Sequence, residues 1–119
     1  MLHGCKTGDA KITKGYRLPA RHVIHTVGPV WNGGSSGEDD LLASCYRRSL
    51  ELCRDHGLAS VAFPAISTGI YRFPADRAAD IATRTVVETL PSAPTLTRVI
   101  FCCFSPESAR LHEEAMTRL

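Results

Sequence analysis

Hydrophobic and polar positions along this chain follow two periods in turn. "HVIHTV" (22–27) is apolar and β-branched, which predicts a strand. "ASVAFPA" (59–65) and "RVIFCCF" (98–104) are short apolar runs of the same kind and predict two more. Between the first two, Leu42, Tyr46, Leu50 and Cys53 recur at helical spacing, and Gly57 closes the helix. Pro74 fits the first turn of a second helix, whose stripe is Ala78, Ala82, Val86 and Leu90, and "PSAP" (91–94) breaks it. Ser105-Pro106 reads as cap and first turn of a last helix, with Ala109, His112, Met116 and Leu119 on one face. Upstream, "CKTGDAKITKGYRLPA" (5–20) reads as a short edge strand followed by a turn at Gly15-Tyr16.

Strands and helices therefore alternate, which predicts an α/β sandwich with mostly parallel strands. Such strands are covered on both faces, which accounts for their uniformly apolar composition. Ligands of open α/β sheets sit beyond the carboxyl ends of the strands. "ISTGIY" (66–71) occupies that position, and "GPVWNGGSSGEDD" (28–40) is a glycine-rich loop whose acids suit a helix N-terminus.

Composition changes this picture little. The 119 residues suit one domain, 44% of them hydrophobic and 22% charged. No apolar run reaches the roughly 20 residues of a membrane span, and no apolar leader follows Met1, so a cytoplasmic location is expected and no membrane partner. A formal charge of +2 is too small to argue for nucleic acid, and Arg47, Arg48, Arg54, Arg72, Arg77 and Arg84 scatter over helices and a loop. Five cysteines without metal spacing read as reduced thiols that fill space. His22 and His25 lack a third ligand, so no metal is expected, and nothing calls for a cofactor. Asp76 and Asp80 read as solvated helix residues, and Glu38, Asp39 and Asp40 as a helix start.

The loop at 66–71 carries the candidate chemistry. Successive amides on small residues form a nest for an anion, Gly69 allows close backbone approach, and Ser67 and Thr68 add hydroxyls. The following helix could present its positive end to the same place. A plain strand-to-helix connection fits the same residues. Tyr71 and Phe73 suit either reading, as stacking rings or as pins to the core, and Phe104 ends the last strand on the same sheet edge.

Taken together, "GCKTGDAKITKGYRLPARHVIHTVGPVW", "LLASCYRRSLELC", "VAFPAISTGIYRFP" and "VIFCCFS" resemble consecutive segments of a macrodomain, the ADP-ribose-binding module, of the Appr-1″-processing or O-acetyl-ADP-ribose deacetylase type. The resemblance runs from about Gly4 to the C-terminus and rests on order and spacing throughout. It implies a three-layer α/β/α sandwich with a mixed, mostly parallel sheet, and a single domain over residues 1–119. Ser67, Thr68, Gly69, Ile70 and Tyr71 match the family's second phosphate loop, whose amides hold the diphosphate. Tyr71 matches an aromatic beside the distal ribose and Phe104 one near the adenine. Gly28 and Pro29 match a signature read as structural. The implied partner is ADP-ribose or an ADP-ribosylated substrate, and the implied activity is ester hydrolysis.

The resemblance also implies a gap. Macrodomains begin with two further strands and a helix, carrying an Asn-Ala-Ala-Asn stretch and a glycine-rich loop assigned to catalysis. These 119 residues hold no such stretch and no run of three glycines, so the incomplete domain is expected to be catalytically impaired, and no residue is assigned a catalytic role. A positioned carboxylate contributes roughly 10²–10⁴-fold, about 3–5 kcal/mol of barrier. One missing strand is central in the family sheet, between those matching residues 59–64 and 22–27. Either those two strands pair directly, or a partner chain covers them, as in a homo-oligomer built on an exposed edge, or Met1 is not the true start. A non-catalytic structural or oligomerising remnant is the alternative reading.

Overall fold

A computed structural model describes residues 6–14, 22–68, 71–103 and 105–119. In chain order the elements are β1 (Ala10–Lys14), β2 (His22–Thr26), α1 (Glu38–Asp55), β3 (Ser60–Pro64), α2 (Ala75–Thr89), a 3₁₀ turn at Leu90–Ser92, β4 (Arg98–Cys102) and α3 (Pro106–Thr117). Local chemistry sets several boundaries. Gly57 has φ +61°, a left-handed conformation that stops α1. Ser105 Oγ accepts from the Ser108 amide at 3.1 Å and Pro106 follows it, which starts α3. Pro74 stands just outside α2 as its cap rather than inside its first turn. The expected turn at Gly15-Tyr16 lies outside the described residues.

Among the described residues the strands form two pairs rather than one sheet. β1 and β2 are antiparallel, with Ile12 opposite Ile24; β3 and β4 are parallel, with Phe63 opposite Phe101. The strands are thus mixed in sense, as the resemblance implies, and among the described residues β2 and β3 do not pair with each other. The expectation of strands covered on both faces needs correction. Val61, Phe63, Val99 and Phe101 are turned inward, whereas Ala62, Ile100 and Cys102 are exposed. The cause is one-sided cover. Tyr46 of α1 meets Phe63 at 4.9 Å, His112 of α3 meets Phe101 at 5.2 Å, and Ala78, Ile81, Ala82 and Val86 of α2 join the same core.

Leu42, Cys45, Tyr46, Leu50 and Cys53 of α1 are essentially inaccessible, as their spacing predicts. Each large apolar side chain removed from water contributes about 1.5–3 kcal/mol. In α3 the expected stripe holds only in part. His112 and Ala115 are buried, but Met116 is 48% and Leu119 57% exposed, because α3 rolls Ala115 rather than Met116 onto its neighbours. Cys45 and Cys53 are buried and fill space, whereas Cys102 is exposed. No helix among the described residues is long and apolar enough to cross a membrane.

Candidate functional site

The turn after β3 reverses within a few residues. Ser67 takes φ +66° and Arg72 φ +61°, a region that costs an L-residue roughly 1–2 kcal/mol. The turn is held by its carbonyls and its side chains. The Phe73 amide donates to the Ser67 carbonyl at 2.9 Å, and the Trp31 amide donates to the Tyr71 carbonyl at 2.8 Å. Thr68 Oγ1 donates to the Ala65 carbonyl at 3.1 Å, so that hydroxyl proton serves the turn itself. Burial pushes the Tyr46 phenol well above its usual range, against the opposing effect of a hydrogen bond with the Ile66 backbone.

Gly28, two residues past β2, abuts this turn. A Cβ at Gly28 would stand 2.1 Å from Ser67 Oγ and 2.6 Å from Ile66 Cγ2. Only a residue without a side chain lets the two loops touch here. The structural reading of Gly28 holds, and it places Gly28 at the site.

From this contact a groove of about 960 Å³ runs back between β2 and β3. All of both strands border it, with Ser49 and Cys53 of α1 and with Gly28, Ile66, Ser67 and Tyr71 at one end. Among the described residues its lining carries no Asp, Glu, Lys or Arg; His22, His25, Cys53 and Tyr71 are the titratable groups there. Two buried polar atoms without a hydrogen-bond partner among the described residues border it, His22 Nδ1 and Ser67 Oγ. Among the described residues the space between β2 and β3 is open.

Of the residues singled out from sequence, the fold brings Ser67 and Tyr71 to the groove, while Thr68 stands one residue beyond Ser67. Gly69, Ile70 and Phe104 lie outside the described residues. Phe73, one of two candidate rings, is buried in the core against Trp31 at 4.9 Å, so it pins the turn. Asp76 is exposed, while Asp80 pairs with Arg118 at the surface. His22 packs edge-on against His56, and no cluster of three His, Cys, Asp or Glu side chains among the described residues could hold a metal.

Two residues that shape the site were given no part in it by the sequence reading. Trp31 lies between Phe73 and the Arg77 guanidinium, which sits 5.3 Å from its ring centroid. Glu38 belongs to the first turn of α1, as expected, and it is buried. Its carboxylate accepts from the amides of Asn32 at 2.8 Å, Gly34 at 2.9 Å and Ser36 at 2.6 Å. The Asn32 bond leads in holding its carboxyl far below the ordinary 4.5, at about 2, with burial opposing and the Gly34 and Ser36 amides adding to it. An acid directly after a glycine-rich loop was the signal, since small-residue amides can fold back on it.

The sequence profile of the Macro domain family matches residues 1–82. The chain belongs to the Macro domain family. This macrodomain is 60% identical over 119 residues to a macro domain-containing protein of Mesorhizobium japonicum, covering 100% of this chain and 68% of that protein. It is 47% identical over 114 residues to an O-acetyl-ADP-ribose deacetylase of Shigella flexneri, covering 96% of this chain and 64% of that protein. Among solved structures, a mutant Oceanobacillus iheyensis macrodomain with ADPR superposes at a TM-score of 0.88 with 40% identity, over 95% of this chain and 60% of that one. A Trypanosoma brucei macrodomain in complex with ADP-ribose superposes at 0.84 with 39% identity, over 93% of this chain and 46% of that one. The α/β macrodomain fold is thus shared, and the chain spans about two thirds of the curated relatives it matches.

Proposed function

We propose that this macrodomain recognises ADP-ribose, free or attached to a substrate, through the turn after β3. Ser67, Thr68, Gly69, Ile70 and Tyr71 cradle the diphosphate with their backbone amides. Tyr71 lies beside the distal ribose and Phe104 near the adenine. The single observation that carries the reading is the geometry of Ser67. It is held at a positive φ by the Phe73 bond, and its Oγ, without a partner among the described residues, borders the groove beside Gly28. Hydrogen bonds to a charged phosphate contribute about 1.5–3 kcal/mol each, so three or four dominate the affinity. The similarity to solved macrodomains with ADPR and with ADP-ribose supports the same choice of ligand.

The chemistry follows the hydrolase branch of the family, as the similarity to an O-acetyl-ADP-ribose deacetylase suggests. These 119 residues by themselves bind but turn over poorly, because they contain no Asn-Ala-Ala-Asn stretch and no triple glycine to position a water. Calorimetry with ADP-ribose tests the first claim. Saturable heat is expected, and its loss in Gly69→Glu. A chain folded by circular dichroism that gives no heat overturns it. Acetate release from O-acetyl-ADP-ribose tests the second, and rapid turnover by this polypeptide would overturn impairment.

A structural or oligomerising role is the second reading, favoured by the open edges of β2 and β3. A monomer by light scattering that still binds ADP-ribose removes it.

A further inference from the structure

Trp31 is the sole tryptophan of the chain, and described neighbours bound its indole on several sides. The Phe73 ring lies 4.9 Å away, the Arg77 guanidinium sits 5.3 Å from the centroid, and a Cβ at Gly34 would stand 2.8 Å from the ring edge. Arg77 is fixed in its turn. Its Nε donates to the two carboxylate oxygens of Asp39 at 2.8 and 3.0 Å, and Nη2 donates to Oδ2 as well. Asp39 stands in the first turn of α1 and Arg77 is the third residue of α2, so the pair ties the starts of two helices beside the indole. A single-contact surface ion pair contributes little, but a forked guanidinium–carboxylate pair fixes direction as well as distance.

The tie enters the turn after β3 at Tyr71, whose carbonyl accepts from the Trp31 amide at 2.8 Å. No other hydrogen bond holds Tyr71 among the described residues. Ser67 and Thr68 are fixed differently, by bonds to Phe73 and Ala65 within the turn itself. Arg72 follows Tyr71 at φ +61°, a region an L-residue leaves when it is free to do so. Turning the Tyr71–Arg72 peptide is the direct way out, and it breaks the Trp31 bond. Whatever holds Trp31 therefore holds the backbone at Tyr71.

We propose that Asp39, Arg77 and Trp31 form a clamp that positions Tyr71, and that this clamp sets the preference of the site for a ligand carrying a distal ribose over one that ends at the diphosphate. The inference rests on the reading of Tyr71 as the aromatic beside the distal ribose. Arg77 and Asp39 act as positioning residues. The cation over the indole face resists sliding of the ring, and the Asp39 carboxylate resists departure of the cation. Release of either lets Tyr71 drift from the groove while the Ser67 end of the turn stays in place.

Calorimetry with ADP-ribose and with ADP, on the 119-residue chain, tests the clamp. Arg77→Gln and Asp39→Asn alter side chains that are nearly half exposed, and circular dichroism checks that both variants fold. Each is expected to bind ADP-ribose about threefold to tenfold more weakly, the size of one ordinary hydrogen bond, and to stay within about twofold of wild type for ADP. On a Tyr71→Ala background, Arg77→Gln should add no further loss for ADP-ribose. Trp31 supplies a readout of its own: acrylamide quenching of its fluorescence should rise in both variants, and in the wild type ADP-ribose should lower it more than ADP does. Equal losses for the two ligands would make the pair a support of the whole turn and overturn the clamp. Unchanged affinities would overturn it too, as would a further loss on the Tyr71→Ala background or quenching that does not change. A wild-type chain that binds neither ligand, or binds ADP as tightly as ADP-ribose, overturns the reading of the site itself, and the clamp with it.

Discussion

The Trp31 amide donates to the Tyr71 carbonyl at 2.8 Å, and through that bond the loop after β2 holds the turn after β3. The ring of Trp31 reinforces the link by lying between Phe73 and Arg77. Trp31→Ala keeps the amide but removes both ring contacts. Full truncation of a buried Trp costs about 3–5 kcal/mol, and Trp31 is half-buried, so a loss of about 2 kcal/mol is expected in urea unfolding followed by circular dichroism. A double-mutant cycle with Phe73→Leu should return a coupling of about 0.5–1.5 kcal/mol for the ring pair. Coupling near zero would mean that the rings touch without stabilising the turn.

Gly28 and Gly33 sit in the same loop under different constraints. An added Cβ at Gly28 collides with Ser67 Oγ at 2.1 Å, whereas one at Gly33 meets nothing within 4 Å but carries φ +88°. Gly28→Ala should destabilise by about 1–3 kcal/mol, the usual effect of overpacking, and weaken ADP-ribose binding by displacing Ser67. Gly33→Ala should cost about 1–2 kcal/mol of backbone strain and leave affinity unchanged. Paired melting curves and calorimetry separate the two. Equal losses of affinity would remove Gly28 from the site.

Ser67 combines a left-handed backbone with a buried hydroxyl that has no partner among the described residues. Ser67→Gly relieves about 1–2 kcal/mol of strain and the desolvation of the hydroxyl, against about 0.5–1 kcal/mol of added chain entropy in the unfolded state. The variant should melt a few degrees higher yet bind ADP-ribose more weakly. A variant that is less stable would show that the strain is not stored at this residue.

Glu38 makes stability depend on pH in a definite direction. Its carboxyl sits at about 2 in the folded chain against an ordinary 4.5, because amides of the loop bond the carboxylate. A folded-state value below the unfolded one stabilises fully above the unfolded value and is lost as pH falls through the folded one. The stability difference between wild type and Glu38→Gln should be constant above about pH 4.5 and shrink steadily towards pH 2. Urea titrations across that range measure it. A pH-independent difference would place the effect elsewhere than in ionisation.

Much of this macrodomain was legible in the residues because the relevant forces are local. β-branched runs gave β2, β3 and β4 to within a residue or two. The 3.6-residue stripe gave α1 and its buried Leu42, Tyr46, Leu50 and Cys53, and Ser105 and Gly57 marked helix ends by bonds and dihedrals within a few positions. Family resemblance added the expectations of a phosphate loop after β3 and of an opening between β2 and β3.

What the chain could not disclose by itself depends on residues far apart in sequence. The Trp31–Phe73–Arg77 stack joins residues some forty positions apart, and no periodicity encodes it. The contact of Gly28 with Ser67 requires β2 and β3 to end side by side. Glu38 read only as a helix-start acid, and the fold brings the loop amides onto its carboxylate. An apolar run announces a strand but not how many of its faces are covered. That was decided when α1, α2 and α3 all packed on the Phe63 and Phe101 side, leaving Ile100 exposed and a groove between β2 and β3. Propensity and capping act over a few residues along the chain, whereas burial is set by whichever surfaces meet in space.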